Sequence, residues 1–472
     1  MSRHLVACAA LAAACAAAAC EKVGAVPHDS GVLGSDGGGA SFATYTPTGC
    51  GYDVTAPEGT EVTLGGTAVG DAPAPDHVHV SFAGDPASTF AVNWRTDLGT
   101  TVTQLLYGAD EAEVTAADGP GGGVSLQEGH TIRFTPLLGM STRVHEVHVC
   151  GLAASSRTFY KVGAPGAWSA VYDVSTGPAK GAAELFRFAV TGDARNAPDV
   201  FAEIQAALFA RGVDFELFSG DAVILGPNQP EWDMFFSATS GADAVEDVLA
   251  RLPFMAANGN HDGLAVNYLV QFALPEELST GERAPEEWYA FDYANAHFVV
   301  LNDTTASDDV ISGDERDWLV ADLSAVNRAT TPWIFVMHHK PAYSCATAHG
   351  SDVALRSAWQ PVFDQYAVDF VFNGHDHDYE RSKPIRGFDT GSTNGSLAPA
   401  GPGGIPVAES GTVYVVAAGA GAPLYGVDLD CYHTELAESV RNYVIVEVEG
   451  RTVRFDAYRI DGTTLDSFEY TK

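Results

Sequence analysis

Five apolar runs in the second half of the chain end in the same kind of residue. Gly192-Asp193 follows FAVT, Gly220-Asp221 follows ELFS, and Gly259-Asn260-His261-Asp262 comes just after FMAA. His338-His339 follows IFVM, and Gly374-His375-Asp376-His377 follows FVFN. Runs this short and this rich in Phe, Val and Ile read as strands buried on both faces of a sheet. Between them lie stretches with apolar residues at helical spacing: DVFAEIQAALFAR, DERDWLVADLSAV and SDVALRSAWQPVFDQYA. Buried strands alternating with helices imply a layered α/β body, whose ligands gather outside the carboxyl ends of the strands. One polar strand end means little. Five that offer only Asp, Asn and His, most of them beside a Gly where the backbone must turn sharply, are hard to explain as packing. Late runs (GTVYVVAAG, NYVIVEVEG, TVRFDAYRI and SFEYT) predict an antiparallel finish to this region, which we place at 184–472.

Upstream the pattern differs. Residues 76–180 show short alternating runs, HVHVSFAG, TFAVNWRT, VTQLLYG, EVHVCGL, FYKVG and AVYDVST, separated by Gly, Asp and Pro turns. That is the signature of a β-sandwich, and Trp94 in mid-strand suits its core better than a ligand platform. His77, His79, His145 and His148 alternate along these strands and read as a solvated face; His130, His297 and His433 have no partner visible in the sequence. Residues 21–75, with GVLGSDGGGA, hold too few large apolar groups to offset ordering entropy and read as a flexible tether.

Residues 1–20, MSRHLVACAALAAACAAAAC, have the charged start and apolar run of a secretory signal. Three alanines before Cys20 resemble a bacterial lipoprotein cleavage site, with Cys15 a second candidate. The expectation is an exported protein, lipid-anchored in the cell envelope through Cys20 or secreted. Four Cys remain beyond the leader: Cys50, Cys150, Cys345 and Cys431. An even set in an exported chain suggests disulfides. Three pairings are possible; one staple per domain, Cys50–Cys150 and Cys345–Cys431, is favoured.

Composition narrows the partners. The 472 residues carry 25 Lys plus Arg against 61 Asp plus Glu, a net charge of −36, which argues against nucleic acid or an anionic membrane surface. After the leader no apolar run reaches the length of a membrane span. With 46% hydrophobic residues the bulk folds. The charge also opposes an anionic substrate at long range, but screening over about 8–10 Å leaves local cations and His or Arg side chains to decide inside a pocket.

Carboxylates and imidazoles delivered by separate strand ends suit two cations about 3.5–4 Å apart, clamping an in-line displacement at phosphorus. The ordered set GDAR, GDAV, GNHD, HHKPAY and GHDHDYER resembles the calcineurin-like metallophosphoesterase superfamily. GHDHDYER, the preceding β-domain and LAASSRTFYKVG resemble its purple acid phosphatase family. The resemblance covers about residues 76–470. It implies a two-domain α+β and α/β fold, a fibronectin-III-like β-sandwich followed by an αββα sandwich. It also implies two divalent or trivalent ions (Fe, Zn or Mn) and an acid phosphatase activity on small phosphate monoesters, by attack of a metal-bound hydroxide.

Carried over by position, the resemblance implies that Asp193 and His377 hold one metal, that Asp221 bridges, and that Asn260, His339 and His375 hold the other. His339 is chosen over His338 because it stands two before Pro341 and four before Tyr343. His261 would contact the phosphate and protonate the leaving oxygen, with Asp262 orienting it. His349 matches a substrate-binding His. Glu380 and Arg381 read as a charge-paired buried support, and Tyr379 as core. Two departures stand out. Ile224 occupies the place of the iron-binding Tyr, so the protein is expected not to be purple. Arg195 stands where many superfamily members have His; it is a poor ligand, and reads either as a phosphate clamp or as a salt-bridged Arg. Competing readings are a phosphodiesterase or nucleotide hydrolase with the same metal core, and a non-catalytic binding module working through the β-domain. The latter allows ligand positions to decay, and all six are present.

Overall fold

The computed structural model describes residues 44–241, 243–276, 286–304, 313–387, 396–397 and 411–472. The leader, with Cys15 and Cys20, lies outside them. No helix among the described residues is long and apolar enough to cross a membrane.

The first domain is a sandwich of two antiparallel sheets. One runs Glu61–Leu64, His130–Phe134, Thr142–Val149, Phe90–Thr96, Asp76–Ser81 in spatial order. The other runs Ala167–Trp168, Arg157–Ala164, Gln104–Gly108, Ser125–Glu128, with Tyr172–Ser175 also paired to Arg157–Ala164. The alternating pattern puts Val92, Trp94, Leu105, Val147, Tyr160 and Val162 between them. Trp94 is buried there and stacks on His145 with ring centroids 5.0 Å apart.

The four histidines expected on a solvated face, His77, His79, His145 and His148, are buried, as is His130: all five are at most 3% exposed. Their sheet is covered on its outer side. His77 and His79 stack on Phe236 of the second domain at 5.2 and 4.6 Å. Tyr45 hydrogen-bonds His130, and Tyr52 hydrogen-bonds His148 at 2.9 Å. Burial holds His79, His130 and His145 below the usual imidazole range. Alternation reports a two-sided strand but not what lies on its second side.

Those tyrosines also correct the tether. From Thr44 the chain is built into the fold: Thr44–Tyr45 pairs with Val54–Thr55, Glu61–Leu64 edges the sandwich, and Cys50 is bonded to Cys150. A few rings, the buried Val54 and Ala56, and a covalent link suffice where average composition suggests disorder.

The second domain stacks two mixed sheets face to face. One has the order Phe254–Ala256, Phe215–Phe218, Phe186–Thr191, Asn442–Glu449, Thr452–Arg459, Thr464–Thr471, its first three strands parallel. The other has the order Tyr289–Tyr293, Ala296–Val300, Trp333–Met337, Phe370–Asn373, Val413–Ala417, Tyr379–Ser382, Thr434–Glu438. Between them lies an aromatic layer in which Phe188 meets Phe298, Phe335 and Phe372 at 5.1, 5.0 and 6.0 Å. Helix Pro198–Ala210 packs Phe201, Ile204 and Leu208 into this main core. Helices Gly313–Ala325 and Val353–Tyr366 cover the second sheet through Leu319, Leu323, Leu355 and Trp359. This is the αββα arrangement. Val413–Ala417, grouped above with the antiparallel finish, is parallel to Phe370–Asn373 and so delivers a further carboxyl end to the same rim. The second disulfide, Cys345–Cys431, is present. His297 is held between Asp292 at 3.0 Å and Asp322 at 2.8 Å.

Where the sandwich, residues 44–56 and the second domain meet, carboxyls are buried together. Glu146 accepts from His148 at 2.7 Å and from Asn93 at 3.1 Å. Burial alone raises its pKa, but His130 and His148 hold it down to about 2. Glu276, accepting from the Thr55 amide at 2.6 Å, is pushed up to about 8, by burial first and then by Glu146 and Asp53. A folded-state pKa above the unfolded value of 4.5 contributes stability that is complete below pH 4.5 and is lost as pH rises through 8. Glu276→Gln should therefore resist denaturant better than wild type at pH 9, by on the order of 1–3 kcal/mol, and should lose that advantage at pH 4.5. Equal midpoints at both pH values would contradict the assignment.

Candidate metal centre

The strand ends converge at one rim. Asp193, Asp221 and Asn260 come from the three parallel strands of the first sheet, and His339, His375 and His377 from two strands of the second. Acid and amide groups thus face imidazoles across the gap between sheets. Asp193 (φ 60°), Asp221 (φ 61°) and His375 (φ 68°) are all in the left-handed region, which costs a non-glycine residue about 1 kcal/mol or more. Local hydrogen bonds hold each one there. The Asp193 amide donates to Gly220 O at 2.9 Å, the His375 amide to Asp193 Oδ2 at 2.9 Å, and the Asp221 amide to Asp262 Oδ2 at 2.7 Å. Two glycines are required by contact: a Cβ on Gly259 would lie 2.2 Å from Asp221 Oδ1, and one on Gly374 2.6 Å from Asp193 Oδ2.

The polar atoms meet in an unusual way. His339 Nδ1 donates to Ser219 O at 2.8 Å, so its Nε2 presents a lone pair when the ring is neutral. That lone pair faces Asn260 Oδ1 at 2.9 Å and Asp221 Oδ1 at 3.4 Å. His377 Nδ1 donates to Pro423 O at 2.6 Å, and its Nε2 faces Asp193 Oδ1 at 3.3 Å, an oxygen with no hydrogen-bond partner among the described residues. His375 Nδ1 reaches Asn260 Oδ1 at 2.8 Å. Acceptors converging on acceptors in a buried site call for positive charge between them, either a proton or a cation. Far-side hydrogen bonds of this kind orient metal-ligating imidazoles. Asp193, Asp221 and His339 bring ligand atoms within 4.8 Å of one another, so the donor set fits cations.

Electrostatics agree. Burial pushes the Asp221 carboxyl up, but His339, His261 and Arg195 more than offset it and keep it below the usual range. Burial, helped by His339, His349 and Lys340, drives His375 well down and keeps it neutral. Asp262 is pushed up to about 7 by burial and by Asp221, yet it accepts amides from Gly259 (3.0 Å), Asp221 (2.7 Å) and Ala222 (3.0 Å).

His261 lies at the edge of this group. Its amide donates to Asp221 Oδ1 at 2.9 Å, Nδ1 meets Ile224 O at 2.7 Å, and Nε2 stands 4.0 Å from Asp221 Oδ2. Asp262 therefore holds the loop's backbone, and the Ile224 carbonyl orients the His261 ring. Ile224 is itself exposed. His349 lies against His375, centroids 4.3 Å apart. Arg195 is salt-bridged to Asp221 at 3.2 Å. His338 stays outside, paired with Asp303 at 2.9 Å. Glu380 and Arg381 support the site but are not paired with each other: Glu380 accepts from Ser344 Oγ and the Cys345 amide, and Arg381 binds Asp466.

One neighbour escaped the sequence reading. Tyr425 stacks on His377 at 4.0 Å and meets His349 at 5.5 Å. It lies beyond Val413–Ala417, in GAGAPLYG, whose small residues allow close approach: a Cβ on Gly421 would be 2.0 Å from Ala194 O. Recognising that run as a further parallel strand end would have found it.

Comparison with known proteins gives the same outline. Residues 186–379 match the calcineurin-like phosphoesterase family, and residues 75–176 match the purple acid phosphatase N-terminal domain. Purple acid phosphatase 18 of Arabidopsis thaliana is 27% identical over 349 residues, 71% of each chain, and purple acid phosphatase 22 of that plant is 28% identical over 349 residues, 71% of this chain and 72% of its own. The solved purple acid phosphatase from yellow lupin (Lupinus luteus) seeds superposes with a TM-score of 0.70 at 19% identity, covering 84% of this chain and 74% of its own, a likeness of fold. With both domains matched in this order, the chain belongs to the calcineurin-like metallophosphoesterases of purple acid phosphatase type, and is a metal-dependent phosphoesterase.

Proposed function

We propose that the protein is an exported phosphatase acting on small phosphate monoesters. The observation that carries this is the position of Asp221, whose two oxygens face different sides: Oδ1 towards His339, Oδ2 towards Arg195 and His261. Asp193 and His377 would hold one cation, Asn260, His339 and His375 the other, and Asp221 would be shared. Fe, Zn and Mn all suit these donors, and with Ile224 in place of a phenolate the protein is expected not to be purple. The cations supply charge neutralisation and an acidified water. The chain's own groups do the rest. Arg195 donates to a phosphate oxygen. His349 borders the phosphate beside His375. His261, its Nδ1 fixed by Ile224 O, keeps Nε2 for a proton that it gives to the leaving oxygen.

The monoester preference is supported by the wall beside the centre. Thr347 donates to Gly426 O at 2.8 Å, Ala346 bridges Val427, and Cys345–Cys431 locks the two loops together. His349 and Tyr425 stand on this wall, against His375 and His377. The kcat/KM for p-nitrophenyl phosphate should exceed that for its bis-ester at least tenfold. The reverse order would replace this reading with a phosphodiesterase or nucleotide hydrolase.

Two variants test the roles. Asp221→Asn should lose one of two bound metal equivalents together with turnover. His261→Ala should keep both metals while kcat falls about 10²–10⁴-fold, with a smaller loss for substrates whose leaving group needs no proton. Full activity in either variant would remove its assignment.

Export is supported by the leader and by two disulfides, which persist in oxidising compartments. Expressed in a bacterial host, the mature protein should begin at a lipid-modified Cys20, read from the mass of its N-terminal peptide. An unmodified N-terminus after cleavage would indicate secretion, and a retained leader would sink export.

A further inference from the structure

Arg195 stands against the ligands of one cation position and not the other. Its Nε donates to Asp221 Oδ2 at 3.2 Å, its Nη2 to His377 Nε2 at 3.1 Å, and its Nη1 to Asn196 Oδ1 at 3.1 Å. The side chain is only 12% exposed. A guanidinium does not give up its proton at any working pH. The first two of these atoms are those through which Asp221 and His377 would serve the cation shared with Asp193. The other position differs. His339 Nε2 and His375 Nδ1 meet at Asn260 Oδ1, and Asp221 turns its other oxygen, Oδ1, towards them.

We infer that Arg195 makes the two cation positions unequal: the position of Asn260, His339 and His375 fills first, and that of Asp193 and His377 holds its cation more weakly. Two physical effects point the same way. The His377 Nε2 lone pair serves either a guanidinium N–H or a cation, so a cation must displace one hydrogen bond. The fixed positive charge also remains beside the site and repels a second cation across a few ångströms of poorly solvated space. A neutral side chain at 195 exerts neither effect. The first position therefore acts as the permanent structural ion, and the second becomes sensitive to metal supply. This rests on the two-cation reading above.

Equilibrium dialysis of the full-length protein against Mn²⁺ or Zn²⁺, with elemental analysis, reads the two steps separately. In the wild type the second equivalent should bind at least tenfold more weakly than the first, about 1.4 kcal/mol. Arg195→Gln should tighten the second step tenfold or more and leave the first unchanged, while Arg195→Lys, which keeps the charge, should retain the gap. Asp193→Asn should abolish only the weak step. Equal steps in the wild type, a second step no tighter in Arg195→Gln, or loss of the tight step in Asp193→Asn would each overturn the inference. One equivalent in every variant would remove the two-cation reading itself, and the inference with it. Two unequal steps without phosphatase turnover would leave the inference standing and remove the hydrolytic reading instead.

Discussion

The Asp262 carboxylate ties the centre together. It is fully buried and takes four backbone amides, from Gly259, Asp221, Ala222 and Val223, so one side chain fixes two strand ends against each other. Without it Asp221 would have no reason to stay at positive φ, and the loop carrying Asn260 and His261 would have no anchor. The far-side bonds of His339 and His377 to Ser219 and Pro423 do the same for the imidazoles. The polar atoms of the proposed centre are thus positioned by the protein's own hydrogen bonds. That pre-organisation is bought with backbone strain and with acceptors turned towards one another.

Much of this was legible from the residues. Apolar runs ending in Asp, Asn or His specify buried strands, and their polar tips meet at one rim. The helices followed from periodicity, and the disulfides from an even number of cysteines. The failures share one cause. His77, His79 and His148 looked solvated, and His130 showed no partner, because a strand records that it has two faces but not whether a distant segment covers the second. Here Phe236, Tyr45 and Tyr52 cover it. Residues 44–75 looked like tether because composition averages over a few decisive rings and one cysteine. Val413–Ala417 looked antiparallel because strand direction depends on the connection, and Tyr425 was missed with it.

Charge works locally in this molecule. A surface with a large negative excess surrounds a centre whose acids face imidazoles and a guanidinium, and the second buried acidic cluster sits with His130 and His148 at the domain boundary. Each cluster is neutralised by its own neighbours, so neither depends on the net charge of the chain.

The aromatic layer between the two sheets has a consequence for the chemistry above it. Three of the proposed ligands ride on one sheet and three on the other, so their separation is the separation of the sheets, set at depth by Phe188 against Phe335 and Phe372. Ring size there acts as a spacer for the ions' cradle. Shrinking a ring far from solvent would let the two halves settle closer and detune the cradle without touching a single donor atom. In this architecture the buried phenylalanines are therefore held to nearly as narrow a tolerance as the residues they carry.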